Sequence, residues 1–250
     1  MKIQFVRHAT LKIYYNNKKI LLDPVLSPKG TLPPIENVPI KNGNPQVDLP
    51  LPVDSIIDCD AVLVTHTHSD HFDSAAINIL PKNMIIFCQP EDEMKITSFG
   101  FTDVMPILNK TQWNGIELIH TKGRHGYGNI AKKMAPVSGF VLRSINEPTI
   151  YLTGDTVWCS YVKNAIEKYT PSIIICNCGG AKFSKGKAIT MEPHDILSVC
   201  KAASEAKIMA VHMEAWNHCR QKRDELLRFA IKNNIDKQVH IPKDGEVITF

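Results

Sequence analysis

Several features that would assign this chain to a specialised class are missing. No run approaches the ~18 consecutive apolar residues of a membrane-spanning helix, and the opening MKIQFVRHAT has no long apolar core of the signal-peptide kind. The seven cysteines (Cys59, Cys88, Cys159, Cys176, Cys178, Cys200 and Cys219) are odd in number, so they form no complete disulfide framework. Several lie in apolar stretches such as MIIFCQ and SIIICNC, where a thiol behaves as a small hydrophobe. A reducing, cytoplasmic setting is expected. Charge is short too: a formal net charge of +4 admits an anionic small molecule but not the clustered basic surface that nucleic acid requires. There is no internal repeat, low-complexity tail or break in composition, so residues 1–250 read as one domain.

Hydrophobic residues make up 44% and charged residues 22%, enough apolar material for a sizeable core. The start, IQFVRHATLKIYYNNKKILLDP, reads as antiparallel strands joined at an Asn-Asn-Lys turn. The texture then changes. Between Pro24 and Pro52 the chain holds eight of its sixteen prolines, which remove amide donors and restrict their neighbours. A Pro-rich loop over about 24–58 is expected, either a lid over a site or a surface wrap.

Beyond it, strands and helices alternate. AVLVT, MIIFC, GIELIHTKG, VSGFVLRS, TIYLTGDT, SIIICNC and KIMAVHM have the pattern of strands. SAAINIL, SYVKNAIEKYT, HDILSVCKAASEA and RDELLRFAIKNN have that of helices. The end, QVHIPKDGEVITF, looks like a hairpin turning at Asp244-Gly245. This order suggests an α/β fold with sheets covered on the outside by helices.

The stretch AVLVTHTHSDHFD places three histidines and two aspartates directly after a buried strand. In extended chain His66, His68 and Asp70 share a face, and His71 joins them where the strand ends. Such a donor set suits zinc or a similar divalent ion, and the spacing is too short for ligands carried on a helix. The bland alternative is an exposed histidine-rich loop; the position behind a buried strand argues against it.

His66, His68, Asp70 and His71 match the H-x-H-x-D-H signature, and the chain thereby resembles the metallo-β-lactamase superfamily. The resemblance implies a four-layer αβ/βα sandwich: two β-sheets packed face to face, helices on both outer faces, metals at one sheet edge. It also implies three further ligands, for which His125 in KGRHGYG, Asp155 in YLTGDT and His212 in IMAVHM stand in the expected order. By the family pattern His66, His68 and His125 hold one metal, Asp70, His71 and His212 the second, and Asp155 bridges. The implied chemistry is hydrolysis by a metal-bound hydroxide, with two divalent ions, zinc or manganese, and with Asp70 orienting the nucleophile or returning a proton.

GRHGYG, APVSGFVL, YLTGDTVW and AVHMEAWNH look most like the branch holding L-ascorbate-6-phosphate lactonase, which implies a lactone or phosphorylated sugar acid and a homo-oligomer. The alternatives are a phosphodiesterase similar to N-acyl-phosphatidylethanolamine phospholipase D, a glyoxalase-like thioesterase, and a non-catalytic metal-binding scaffold. His68 argues against di-iron redox members, which carry Glu there, and no RNA-gripping insertion is present.

Other residues have two readings. His218, six positions after His212, is either a proton donor or oxyanion partner at the site or a helix-start histidine. Asp23 either orients a ligand histidine or caps a strand end. Glu214 and Trp216 line a pocket or pack, with packing favoured for Trp216. His194 is expected to cap a helix. His8, His120 and His240 are expected on strands, structural or exposed. Cys176 and Cys178 belong to the core, while Asn177 or the glycines after it edge the pocket. Lys132 and Lys133, in a loop close in sequence to His125, and the loop Ala181–Lys187 are solvated, with a phosphate contact as their functional alternative.

Overall fold

The computed structural model describes residues 1–250. Strands β1 (Lys2–Arg7), β2 (Thr10–Tyr15) and β3 (Lys18–Leu22) form the expected antiparallel meander. Asn16 and Asn17 make the turn between β2 and β3 at φ 47° and 59°, a left-handed conformation that asparagine tolerates. The first half continues through α1 (Val53–Ile57), β4 (Ala61–Val64), α2 (Ser74–Ile79), β5 (Ile86–Cys88), α3 (Glu93–Ser98) and β6 (Val104–Pro106). The second half holds β7 (Lys110–Trp113), β8 (Ile116–Lys122), α4 (Gly128–Met134), β9 (Ser138–Ser144) and β10 (Glu147–Leu152). It ends with α5 (Ser160–Tyr169), β11 (Ile173–Asn177), α6 (Pro193–Ala202), β12 (Lys207–Val211), α7 (Arg223–Lys232), β13 (Val239–His240) and β14 (Val247–Thr249).

The strands form two seven-stranded mixed sheets, ordered β14-β1-β2-β3-β4-β5-β6 and β13-β12-β11-β10-β9-β8-β7. Central strands such as β4 and β11 are buried on both faces, which is why they read as unbroken apolar runs. Alternate side chains serve different layers. Ala61 and Leu63 of β4 and Ile173 and Ile175 of β11 enter the cluster between the sheets, with Phe5, Phe87 and Phe140. Val62 and Val64 face outward and pack with Ile56, Ala76 and Ile96 of α1, α2 and α3. Ile174 and Cys176 face the other side, against Val162, Ile196 and Leu226 of α5, α6 and α7. The result is the four-layer αβ/βα sandwich. Removing a ring such as Phe140 from the central layer would cost about 3–5 kcal/mol, the usual penalty for an aromatic-to-alanine cavity.

Two local expectations need correction. The turn at Asp244-Gly245 exists, with Gly245 at φ 84°, but it does not close a hairpin. β13 runs parallel to β12 in one sheet, while β14 pairs antiparallel with β1 in the other. The reason is a competing partner: the Gly245 amide donates to the Phe5 carbonyl at 2.9 Å, tying the turn to β1. Within the Pro-rich stretch over 24–58 the backbone is irregular as far as Pro52, and the short helix α1 follows.

That stretch is pinned at both ends. Asp73 accepts the amides of Leu26 (3.1 Å) and Ser27 (2.8 Å) while also capping α2 through Ala76. The fully buried Arg7 guanidinium donates to the carbonyls of Val25, Ser27 and Val47. Further along, Asn217 exchanges hydrogen bonds with the Ile35 amide and carbonyl (both 3.0 Å) and donates to the Ile40 carbonyl at 2.8 Å. Asn44 closes the arrangement, donating to the Asn217 side-chain oxygen and accepting its amide.

Candidate metal centre

Parallel strands β3, β4, β10, β11 and β12 deliver their C-terminal ends to one edge where the two sheets meet. Asp23 follows β3, His66 to His71 follow β4, Asp155 follows β10, Asn177 ends β11, and His212 follows β12. His125 arrives from the loop after β8. A strand held in both sheet and core fixes the residue at its tip far better than a free loop would.

All seven expected ligands come together there. The donor atoms of His66, His68 and His125 lie within 4.8 Å of one another, as do those of His66, His71 and Asp155. Asp70, His71 and His212 form a further group with His8. His66 Nε2 lies 2.9 Å from His68 Nδ1, and His71 Nε2 lies 3.2 Å from His212 Nε2. Asp155 faces both halves: Oδ1 is 3.3 Å from the Nε2 atoms of His71 and His212, and Oδ2 is 3.5 Å from that of His125. An ion with bonds of about 2.0–2.1 Å to nitrogen separates tetrahedral donors by about 3.3 Å, so these spacings suit two cations sharing one carboxylate. Five imidazoles and two carboxylates converging in one buried place are the donors that divalent cations take; the donor set fits a dinuclear centre.

Outer contacts choose the nitrogen that each ring presents. His125 Nδ1 donates to the Ile189 carbonyl at 2.8 Å, leaving Nε2 inward. His71 Nδ1 lies 2.7 Å from Asp23 Oδ2, and Asp23 also accepts the Thr65 amide and hydroxyl, each at 2.7 Å. The Thr65 hydroxyl lies 3.1 Å from His66 Nδ1. His212 Nδ1 sits 3.4 Å from Cys219 Sγ. The Asn177 amide donates to Asp155 Oδ1 at 2.8 Å, so Asn177 braces the shared carboxylate.

Electrostatics follow from burial and crowding. Burial, then the neighbouring His71 and His68, push the His66 imidazole well below its usual pKa. Burial alone would raise Asp70 and Asp155, yet the histidines around each hold both well below the carboxylate range. Burial also opposes charge on His71, but Asp155 and Asp23 outweigh it and raise that ring to about 10. His218 is lowered to about 4, chiefly by burial.

His218 does reach the centre: its Nε2 is 3.6 Å from Asp70 Oδ2, and its buried Nδ1 has no partner. It borders a cavity of about 180 Å³ with Ile35, His68, Ser69, Asp70, His125, Met134, Phe183 and Ile189. The Pro-rich stretch therefore supplies a wall of this cavity through Ile35. Other residues fall elsewhere. Glu214 pairs with Arg223 rather than lining the cavity, and Trp216 packs in the interior. His194 is the second residue of α6, whose cap is Glu192. His120 on β8 bonds Ser138 of β9, His240 pairs with Glu246, and Cys176 and Cys178 are core. Lys132 and Lys133 are exposed on α4, a helix rather than the expected loop. Of Ala181–Lys187, Phe183 lines the cavity and Lys185 and Lys187 border an outer one of about 530 Å³.

The residue that sequence reasoning missed is His8. It occupies the turn after β1, at φ 57° and fully buried, with its ring against His212. The available signal was the one that marked His66 and His212: a polar residue immediately after a buried strand.

Two sheets bearing this centre at their common edge define a metal-dependent hydrolase. The model described as beta-lactamase superfamily domain matches residues 18–213, and the chain belongs to that superfamily. Among curated relatives it is 41% identical over 254 residues to the UPF0173 protein YddR of Bacillus subtilis, covering 100% of both chains. Among solved structures it is similar to an isothiocyanate hydrolase from Delia radicum gut bacteria (35% identity, TM-score 0.96). It is also similar to a protein of Veillonella parvula described as a "possible metal-dependent hydrolase" (40% identity, TM-score 0.97). Both alignments cover 100% of this chain and 99% of the other.

Proposed function

We propose that this metal-dependent hydrolase acts on a small, uncharged molecule with an electrophilic carbon and an apolar substituent, in the first instance an organic isothiocyanate. The observation that carries this reading is the cavity over Asp70 and His218. Ile35, Met134, Phe183 and Ile189 form its apolar walls, and neither lysine nor arginine is among its lining residues. The 35% identity and full-length similarity to an isothiocyanate hydrolase support it.

His66, His68 and His125 would hold one cation and Asp70, His71 and His212 the other, with Asp155 between them. Five imidazoles favour zinc over manganese. The chemistry that such cations supply when bound is activation of water and polarisation of the electrophile. The side chains do the rest. The apolar walls orient the substituent and exclude bulk water, so that the carbon faces Asp70. Asp70 accepts the proton of the attacking water. His218, next to Asp70, returns it to the substrate nitrogen. Addition of water across the carbon–nitrogen bond of R–N=C=S gives a thiocarbamic acid; that bond then breaks as the acid's remaining water proton passes to nitrogen, releasing the amine R–NH2 and carbonyl sulfide, which keeps the water oxygen. The seven free cysteines support the cytoplasm as its location.

A second reading is a lactone or phosphorylated sugar acid. The cavity beside Phe183, bordered by Lys185 and Lys187, gives an anionic group somewhere to lie. The test is a panel of benzyl isothiocyanate, a γ-lactone, a phosphorylated lactone and bis(p-nitrophenyl) phosphate, offered to zinc- and manganese-loaded protein. Turnover of the isothiocyanate is expected. Turnover confined to the phosphodiester would overturn both readings, and none on any bond with metals bound would favour a non-catalytic scaffold.

A further inference from the structure

His8 is held in place from three directions. Its carbonyl accepts the His212 amide at 2.8 Å, joining the first sheet to the second beside the centre. Its ring lies between those of His212 and Trp216, at centroid distances of 3.7 and 5.1 Å. Its Nε2 lies 3.5 Å from Asp70 Oδ2, and neither ring nitrogen has a hydrogen-bond partner. A fully buried imidazole with both nitrogens idle is costly and uncommon. Packing alone would be served better by an apolar ring.

Direct ligation is disfavoured by the stacking. The His8 and His212 rings are packed against each other at 3.7 Å between centroids, closer than the 5.2 Å between His71 and His212, a contact of ring against ring rather than of two donors spread around one ion. Asp70 is the remaining partner. A small rotation of its carboxylate closes the 3.5 Å gap to a hydrogen bond. His218 approaches the same oxygen at 3.6 Å and borders the cavity, whereas His8 is fully buried and does not.

We propose that His8 is a positioning residue of the metal centre: its Nε2–H donates to Asp70 and holds that carboxylate toward the cation shared with His71 and His212. The cation held by His66, His68 and His125 does not depend on it. Loss of His8 therefore separates the two halves of the centre.

The test compares His8→Phe, which keeps a stacked ring but no donor, with His8→Gln, whose amide nitrogen reaches the place of Nε2. Both carry the same backbone penalty at φ 57°, so their difference isolates the donor. Cobalt is titrated into each metal-free protein and into the parent, followed by elemental analysis and the visible d–d spectrum. Melting curves of the metal-free proteins report folding. In His8→Phe the first equivalent should bind as in the parent and the second about 10- to 100-fold more weakly, with its spectral component altered. His8→Gln should restore most of that affinity.

Unchanged second-site affinity in His8→Phe would overturn the proposal, as would a His8→Gln protein no better than His8→Phe, or a parent that binds one equivalent only. Should His8→Phe fail to fold, His8→Gln decides alone: near-parent affinity at the second site supports the donor role and a large loss overturns it. None of these readouts depends on the substrate.

Discussion

His71 and Asp23 are joined by a 2.7 Å contact from ring Nδ1 to carboxylate Oδ2, which points Nε2 of His71 at Asp155 and His212. Both carboxylate oxygens are engaged: Oδ2 also accepts the Thr65 hydroxyl, and Oδ1 accepts the Thr65 amide. Asp23 lies at φ 42°, a conformation in which asparagine is at ease, so Asp23→Asn changes the chemistry without straining the backbone. The new amide group would face an N–H or O–H donor with another donor. Metal affinity should fall about 10- to 100-fold, as is usual when the partner of a ligating histidine is lost. Competition with a chromophoric chelator measures it; affinity equal to the parent's would show that Asp23 only caps β3.

The same pair predicts how the metal-free protein responds to pH. Burial disfavours charge on His71, but Asp155 and Asp23 raise its folded pKa to about 10, above the ordinary 6.5. A raised histidine contributes stability that is fully present below the unfolded value and lost as pH rises through the folded one. Metal-free protein should therefore melt progressively lower between about pH 6.5 and 10. Because a ligating imidazole must be neutral, metal uptake releases the proton, and affinity should rise over the same interval. Melting curves at pH 6, 8 and 10, with and without zinc, check both signs. A metal-free protein whose stability rises across this interval would contradict the charged His71.

Gly154 sets the exit of β10 before Asp155. It lies at φ 61°, and a Cβ placed there would stand 2.1 Å from the Ser138 carbonyl oxygen. Gly154→Ala thus adds a left-handed alanine to a backbone clash and should destabilise by more than about 3 kcal/mol, or displace β9 from β10. Chemical denaturation of metal-free protein reads the loss directly. If the variant folds normally yet binds metal poorly, the strain has been relieved by moving Asp155.

Why so much of this was legible comes down to strand ends. His66, Asp155 and His212 each follow an apolar run closely, and a polar residue there falls at the sheet edge whatever the remaining packing. His8 obeys the same rule, but it stands alone in VRHAT without a second histidine to draw notice. The terminal strands were misread because Asp244-Gly245 specifies a turn and not a partner; pairing with β1 depends on residues some 240 positions away. The Pro-rich stretch was illegible for a related reason. Its path is decided by Arg7, Asp73 and Asn217, none of which lies inside it.

Asn217 is the most economical probe of that path. Its side chain holds Ile35 from both backbone sides, bonds the Ile40 carbonyl and meets Asn44, all close to the cavity wall. Asn217→Ala leaves several of these groups without partners, a loss of about 1–3 kcal/mol for each buried group left unsatisfied. The proposed metal ligands do not rest on Asn217, so metal content should be unchanged. Ile35 would lose its fixed position, which raises KM for an apolar substrate with a smaller effect on kcat. Lys29 and Lys41 are already exposed on the same stretch, and trypsin should cut after them faster in the variant. Parent-like proteolysis together with a parent-like KM would mean that Arg7 and Asp73 suffice to hold the wall. Rapid cleavage with an unchanged KM would mean that Ile35 does not touch the substrate, and the cavity bounded by Met134, Phe183 and Ile189 would then carry the specificity alone.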